Sequence, residues 1–500
     1  MEELLELAEK KYASGDYKGA LDVTMKMSGL GEDPLISHYM GGMLVDIGRH
    51  LQDEEKVREA VDILEKDLEE LVKRKDKAPQ AYYNLANGYY YLYEFKWIKD
   101  HYIGYLEPTE LYKVREYLLK AIELKPNDEE FLSQIWTNLG NCFDNSGRGV
   151  DALECYEKAL ECKPDHGMAM GNKGTALFKY ASVSGRHRET FLHEAYTLIT
   201  EALKSELNPG AKKSFQYYLN LIKKYFADDQ KLETPLKFSG CKTEITDKFE
   251  EFLVNFCLEN KLYLNLCNVC QKCDVAIGDT VGIRSMIVSL KSSNGDIEPF
   301  YSLSNFLNHI KMDYVTARFL LIQSQYKGLE LNFVDRRLKL IDTLDYSLFN
   351  IRVQLVKTAF RAFYDILDKT SIFINNYLQL GIPEGKLNFR NVWYSDRKQK
   401  IIHEKMKRIK NFSLNAIFDI FQEFESEKKK KGRYKKLRDT RNALTHRFVN
   451  IRLIQEEEDE ENMMEDTLFE QTGELARIVR NVIIYLTNFV YLEEKAKKKR

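Results

Sequence analysis

The sequence predicts a mostly α-helical chain: an N-terminal solenoid of helical hairpins over residues 1–230, a small mixed central segment over 231–335, and a C-terminal helical bundle over 336–500. Three observations carry this expectation. Helix breakers are scarce, with 9 Pro and 26 Gly in 500 residues. A hairpin-repeat pattern is legible between Trp136 and Pro164. Beyond Arg336, apolar residues recur every three and four positions over long stretches.

Composition limits the functional classes. Hydrophobic residues make up 44% of the chain and aromatics 12%, enough for more than one core. Lys and Arg total 75 against 77 Asp and Glu, so the whole chain is no polyanion binder and any nucleic-acid site is local. The N-terminus, MEELLELAEKKYASGDY, has neither a basic opening nor an apolar core, and the longest apolar stretch, Val482 to Leu492, is broken by Thr487 and Asn488. No membrane partner and a cytoplasmic location are therefore expected. The eight cysteines are irregularly spread in a large chain, which reads as reduced thiols.

In the repeat region, Trp136, Leu139, Gly140, Phe143, Ala152, Tyr156, Ala159 and Pro164 resemble a tetratricopeptide unit. Small Gly140, Ala152 and Ala159 let two antiparallel helices approach, the large rings fill the gaps, and Pro164 ends the unit. Degenerate copies surround it. Tyr82, Leu85, Ala86 and Tyr89 open one whose second helix, with Ala121 and Pro126, is displaced by roughly sixteen residues. Others lie at Leu4 to Met27, with Gly15, Tyr17 and Ala20, and at Met170 to Ala202. About four or five units can stack a continuous core and present a concave groove to a protein or peptide. The aromatics from Tyr82 to Tyr105 fit either a recognition surface or inter-helix core.

Thr234, Pro235 and Gly240 mark a turn-rich junction. Beyond it, ITDKFEEFLVNFCLEN reads as helix, LYLNLCNVC alternates like a strand, and SLSNFLNHIKMDYVTARFLLIQSQY returns to helix; a small α+β insert and a helical linker both fit. Cys267, Cys270 and Cys273 have a spacing able to ligate zinc or an iron–sulfur cluster, with Cys257 and Cys241 upstream. There is no second CxxC pair, so free thiols are the competing reading and no cofactor is expected.

The bundle is expected from three stretches: 351–378, 397–431 as one or two helices, and 467–500. Residues 428–447, KKKKGRYKKLRDTRNALTHR, contain ten Lys or Arg and a single acid, Asp439. Lys428, Lys429, Lys430, Lys431, Arg433, Lys435, Lys436, Arg438 and Arg447 form a concentrated cation suited to an RNA backbone, whose counterions it would release. The alternative is a solvated loop paired with the six consecutive acids at 456–461.

Arg441, Asn442 and His446, as RNALTH in a basic helix late in the bundle, resemble the RxxxxH signature of the HEPN superfamily. The same spacing at Arg188 and His193, and a looser one at Arg397 and His403, lack the following Asn. The resemblance implies a metal-independent endoribonuclease in which two such motifs meet across a homodimer, with an association to toxin and anti-phage roles. The residue types suit the chemistry. An imidazole, ordinarily near pKa 6.5, moves the proton of an RNA 2′-hydroxyl, an effect worth about 10² to 10⁴ in rate. A guanidinium binds phosphorane oxygens two at a time, and Asn442 lies one turn before His446. On one ideal helix Arg441 and His446 point about 140° apart, which favours a composite site. No GxxxxGK[ST] loop is present, since Gly385 and Lys386 precede Leu387, and no HExxH follows His403. A non-catalytic scaffold with a basic RNA- or protein-binding helix is the alternative.

Overall fold

Aspartates set many of the helix starts in the N-terminal half. Asp16, Asp53 and Asp128 accept first-turn backbone N–H groups of Gly19 at 2.9 Å, Lys56 at 3.1 Å and Glu130 at 2.9 Å. The computed structural model describes residues 1–31, 33–99, 109–226, 232, 245, 247–265, 267, 276–284, 298–341, 344–396, 398–427, 430–454 and 462–498. It contains two compact units: Met1–Ser182 with Phe191–Thr234, and Val183–Thr190 with Pro235–Arg500.

The first unit is a run of helical hairpins. Its longer helices are α1 Glu2–Ala13, α2 Tyr17–Lys26, α3 Pro34–Leu51, α4 Glu54–Lys66, α5 Ala78–Lys99, α6 Thr109–Glu123, α7 Glu129–Asn145, α8 Gly149–Cys162, α9 Gly167–Ala181, α10 Arg188–Ala202 and α11 Pro209–Phe226. Gly15, at φ +81°, turns α1 into α2 in a conformation that a side chain disfavours. In the α7–α8 hairpin a Cβ at position 140 would lie 2.5 Å from the Tyr156 ring, so glycine sets how closely the helices approach. Gly174 does the same for α9 against Ile199 of α10. Within α5, Tyr93 and Phe95 are buried, Tyr82, Tyr83, Tyr89, Tyr90 and Tyr91 are half-buried and Trp97 is 38% exposed, so the described part of the aromatic stretch is divided between core and surface.

The second unit is a helical bundle. It holds α12 Lys248–Glu259, α13 Glu298–Gln325, α14 Ile351–Leu378, α15 Phe412–Phe424, α16 Lys435–His446 and α17 Glu465–Lys497. Along their length α13 and α14 pack together, joined by Tyr314 against Phe363 and Phe306 against Phe373. Both α14 and α15 rest on α17, where Tyr377 meets Phe489 edge-on at 5.2 Å. By length and composition α17 can cross a membrane, yet most of its apolar stretch is buried within this unit.

Several expectations change here. Residues 397–407 are not one helix: β1 Tyr394–Asp396 and β2 Ile401–Ile402 form a hairpin, because the Asp396 carboxylate accepts the N–H groups of Lys398 and Gln399 and folds the chain back. The alternating stretch after Leu262 is no strand in its described part; its backbone is tied instead to bundle side chains. Tyr314 and Arg318 donate to the Leu262 carbonyl at 2.9 and 3.0 Å, and Arg480 donates to that of Tyr263 at 3.0 Å. Helix α13, which the sequence places in the central segment, is the bundle's first long helix. Cys267 is disulfide-bonded rather than reduced, so its sulfur is no thiolate ligand; Cys270 and Cys273 lie outside the described residues. Among the described residues no group of His, Cys, Asp or Glu is placed to hold a metal ion.

Candidate nucleic-acid cleavage site

Helix α16 is seated by Tyr434, Leu437 and Thr440, which fall on one face and are buried. The Tyr434 ring packs on Phe424, and Thr440 donates to Gln471 of α17 at 2.7 Å. Arg438 adds a hydrogen bond to the Phe424 carbonyl at 3.2 Å. Arg441 continues this buried face one turn later. Its guanidinium lies over the Tyr364 ring at 5.2 Å and 3.9 Å from the Asp368 carboxylate, both on α14, and donates to Asn442 at 3.2 Å. Asp368 is in turn fixed by the Phe389 backbone N–H at 2.9 Å.

Burial raises the Asp365 and Asp368 carboxyls above their usual range, against the pull of Arg441. Burial, with Asp368 adding, pushes the Tyr364 hydroxyl up to about 12, so it stays a neutral platform. Asp365 and Asp368, whose spacing on the long helix allows either a part in the site or ordinary salt bridging, interact with the motif arginine; Tyr364 is the contributor that sequence reasoning missed. Its one signal was the four-residue step from Tyr364 to Asp368 on a long helix.

Asn442 and His446 are exposed, and the His446 side chain makes no hydrogen bond among the described residues. His446 is the last residue of α16; the chain then runs extended through Arg447. Lys357 of α14 holds that turn by donating to the Val449 carbonyl at 2.9 Å. Just past the motif, Phe448 is 93% exposed. The strand β5 Asn450–Arg452 pairs with β6 Asn462–Met464 and bridges to Ser347, which brings Leu344 and Tyr346 beside Leu453 and Ile454, all exposed.

The predicted RNA-binding cations divide. Lys428 and Lys429 lie outside the described residues, and Lys430 and Lys431 are described only as the backbone of β4, paired with β3 Ser426–Glu427. Lys435 pairs with Asp439 at 2.8 Å, Arg438 approaches the same carboxylate at 3.6 Å, and Arg433 sits 3.9 Å from Glu474. Lys436 is exposed without an ion pair among the described residues, and Arg447 is exposed. Exposed pairs of this kind are worth under about 1 kcal/mol and yield readily to a polyanion.

In the first unit a cleft of about 350 Å³ is lined by Tyr90, Asn138, Asn141, Asn145 and Asn172. The charges at its edge pair with each other, Lys179 with Asp144 at 2.6 Å and Arg49 with Glu94 at 3.6 Å, leaving amides and phenols as its polar lining.

Residues 296–493 match the family model of the LA2681-like HEPN, and residues 133–166 match that of the tetratricopeptide repeat. This chain carries a HEPN domain behind tetratricopeptide repeats. The HEPN match begins at the start of α13, and the repeat match spans α7 and α8. Among solved structures, TTC0263, a tetratricopeptide protein of Thermus thermophilus, is 19% identical with a TM-score of 0.33, covering 44% of this chain and 98% of that one. BtubC from P. vanneervenii is 16% identical with a TM-score of 0.30, covering 48% and 99%. The human IFIT1 dimer with PPP-AAAA is 14% identical with a TM-score of 0.23, covering 76% and 82%. No curated protein matches the chain. A HEPN domain suggests a nuclease or other RNA-related activity, and the repeats suggest a protein or peptide partner.

Proposed function

We propose that this protein is a metal-independent endoribonuclease effector acting in the cytoplasm. The observation that supports it is the motif helix itself: Arg441 is held against Tyr364 and Asp368 while Asn442 and His446 are presented to solvent. In the reaction His446 takes the proton of an RNA 2′-hydroxyl as that oxygen attacks the adjacent phosphorus. The bond to the 5′-oxygen breaks, a 2′,3′-cyclic phosphate forms, and the leaving oxygen acquires a proton. Arg441 binds the equatorial oxygens as charge accumulates, and Asn442 steadies the phosphate.

A second copy of the chain completes the site. His446 and Arg441 diverge on one helix, and the exposed Leu344, Tyr346, Phe448 and Ile454 form the kind of apolar surface that a protein partner covers. Partner binding in the repeat groove controls the activity, and growth arrest in toxin or anti-phage defence is the biological reading. The internal pairing of Arg433, Lys435 and Arg438 favours a second reading, a non-catalytic RNA- or protein-binding scaffold.

Labelled single-stranded RNA incubated with the protein in EDTA tests the first reading. Cleavage to cyclic-phosphate ends that disappears in His446→Ala and Arg441→Ala is expected. Cleavage that survives either change rejects the assignment. RNA binding without cleavage supports the scaffold instead. Sedimentation showing a fully active monomer would remove the composite site.

A further inference from the structure

A cleft of about 450 Å³ in the second unit lies apart from the motif helix, between α17, residues 280–284 and the Val183–Thr190 loop that belongs to the same unit. Its size falls within the range of small-molecule sites. Asn488 and Thr487 of α17 line it, together with Val281, Ile283, Arg284 and Tyr491.

Asn488 is the feature that core packing leaves unexplained. Its side chain is only 4% exposed, it sits in the most apolar part of α17, and it makes no hydrogen bond among the described residues. Its amide keeps access to solvent at the cleft rather than being sealed in the core, so a ligand can meet it there. A buried side-chain amide at a cleft offers a donor and an acceptor side by side, the pair that Asn uses to read the edge of adenine.

The rest of the lining has matching chemistry. It carries one guanidinium, Arg284, and no carboxylate. Arg284 is placed rather than loose: it lies 4.7 Å over the Tyr491 ring and donates to the Val183 carbonyl. Gly185, at φ +61°, makes room for it, since a Cβ there would come within 3.1 Å of the guanidinium carbon. The backbone leading to Arg284 is equally fixed. Lys311 donates to the carbonyls of Asp279 at 3.0 Å and Val281 at 2.8 Å, and buried Arg318 grips the Asp279 carboxylate at 2.7 Å. Val281, Ile283 and Tyr491 supply apolar surface for a flat ring, and a planar guanidinium suits a phosphate.

We propose that this cleft binds a purine nucleotide, with the base edge on the Asn488 amide and the phosphate on Arg284. The inference does not rest on the nuclease reading, because none of these residues belongs to the RNALTH helix.

Calorimetric titration of the full-length protein with AMP, adenosine and ribose 5-phosphate separates the contributions. AMP is expected to bind one-to-one with a Kd below about 100 µM. Adenosine and ribose 5-phosphate should each bind at least about tenfold more weakly. Asn488→Leu and the exposed Arg284→Gln should weaken AMP by a similar factor at unchanged melting temperature, while His446→Ala leaves it intact. Should Asn488→Leu fail to fold, Arg284→Gln alone decides. Absence of AMP binding, equal affinity for ribose 5-phosphate, or loss of binding in His446→Ala rather than Arg284→Gln would overturn the site.

Discussion

The repeat hairpin at residues 133–166 and the motif helix at 435–446 are each recognisable from a handful of letters, but they use those letters in opposite ways. In the hairpin, Leu139, Phe143, Ala152, Tyr156 and Ala159 are at most 3% exposed, and Gly140 is there because Tyr156 fills the space beside it. Packing explains these positions, while Trp136 is half-buried and Pro164 exposed. In the motif helix, Tyr434, Leu437 and Thr440 do the packing, while Asn442 and His446 face solvent and Arg441 is only partly covered. Nothing in the stability of the bundle asks for an imidazole or an amide at those exposed positions. Residues that a fold does not need are where a function is to be sought.

The largest effect expected from this contrast is on catalysis. His446→Ala should lower RNA cleavage at least about 10²-fold while shifting the melting temperature by no more than about 1 °C; a large loss of stability would move His446 to the packing side of the contrast. Tyr156→Ala should do the reverse, destabilising the first unit by about 3–5 kcal/mol in chemical denaturation. If it is instead nearly neutral, the hairpin is not held by its signature residues. Asp368→Asn keeps an acceptor for the Phe389 N–H but removes the charge beside Arg441. Cleavage should fall about three- to tenfold without loss of fold, measured as kcat under saturating RNA.

A fourth prediction concerns pH. Burial, with Lys77 adding, holds His38 in the first unit at about 4, below its unfolded value near 6.5. As pH falls through that window the unfolded chain takes up the proton first, so stability present above about 6.5 is progressively lost towards 4. His38→Gln should flatten that acid limb in melting curves, whereas His446→Ala should leave it unchanged. The smallest effect is expected at Lys436. Its replacement by Ala should weaken RNA binding across sequences alike and reduce the slope of log affinity against log salt by about 0.7.

The helical class, the repeat and the motif were legible because each rests on local spacing. The 3.6-residue period marks α14 and α17, the small–large alternation marks α7 and α8, and RNALTH stands out by composition. What was not legible depends on partners far apart in the chain. Whether 397–407 continues a helix is decided by one carboxylate, Asp396, capturing two N–H groups. That α13 belongs with the bundle is decided by Tyr314 and Phe306 meeting rings of α14 49 and 67 residues further along the chain. Tyr364 as the seat of Arg441 is likewise a contact across more than seventy positions. The charge run at 428–447 and its one acid, Asp439, were visible, but the approach of Arg433 to Glu474 was not, since Glu474 lies on another helix.

Helix α14 touches the motif at two separated levels: Lys357 fastens the strand leaving His446, and Tyr364 with Asp368 seats Arg441. It thus works as a ruler, with marks seven and eleven residues apart, or roughly 10 and 16 Å along its axis. A single residue inserted between the two marks would rotate one of them by about 100° relative to the other. The motif's two ends would then be set out of register by a change that adds no charge and touches neither of them.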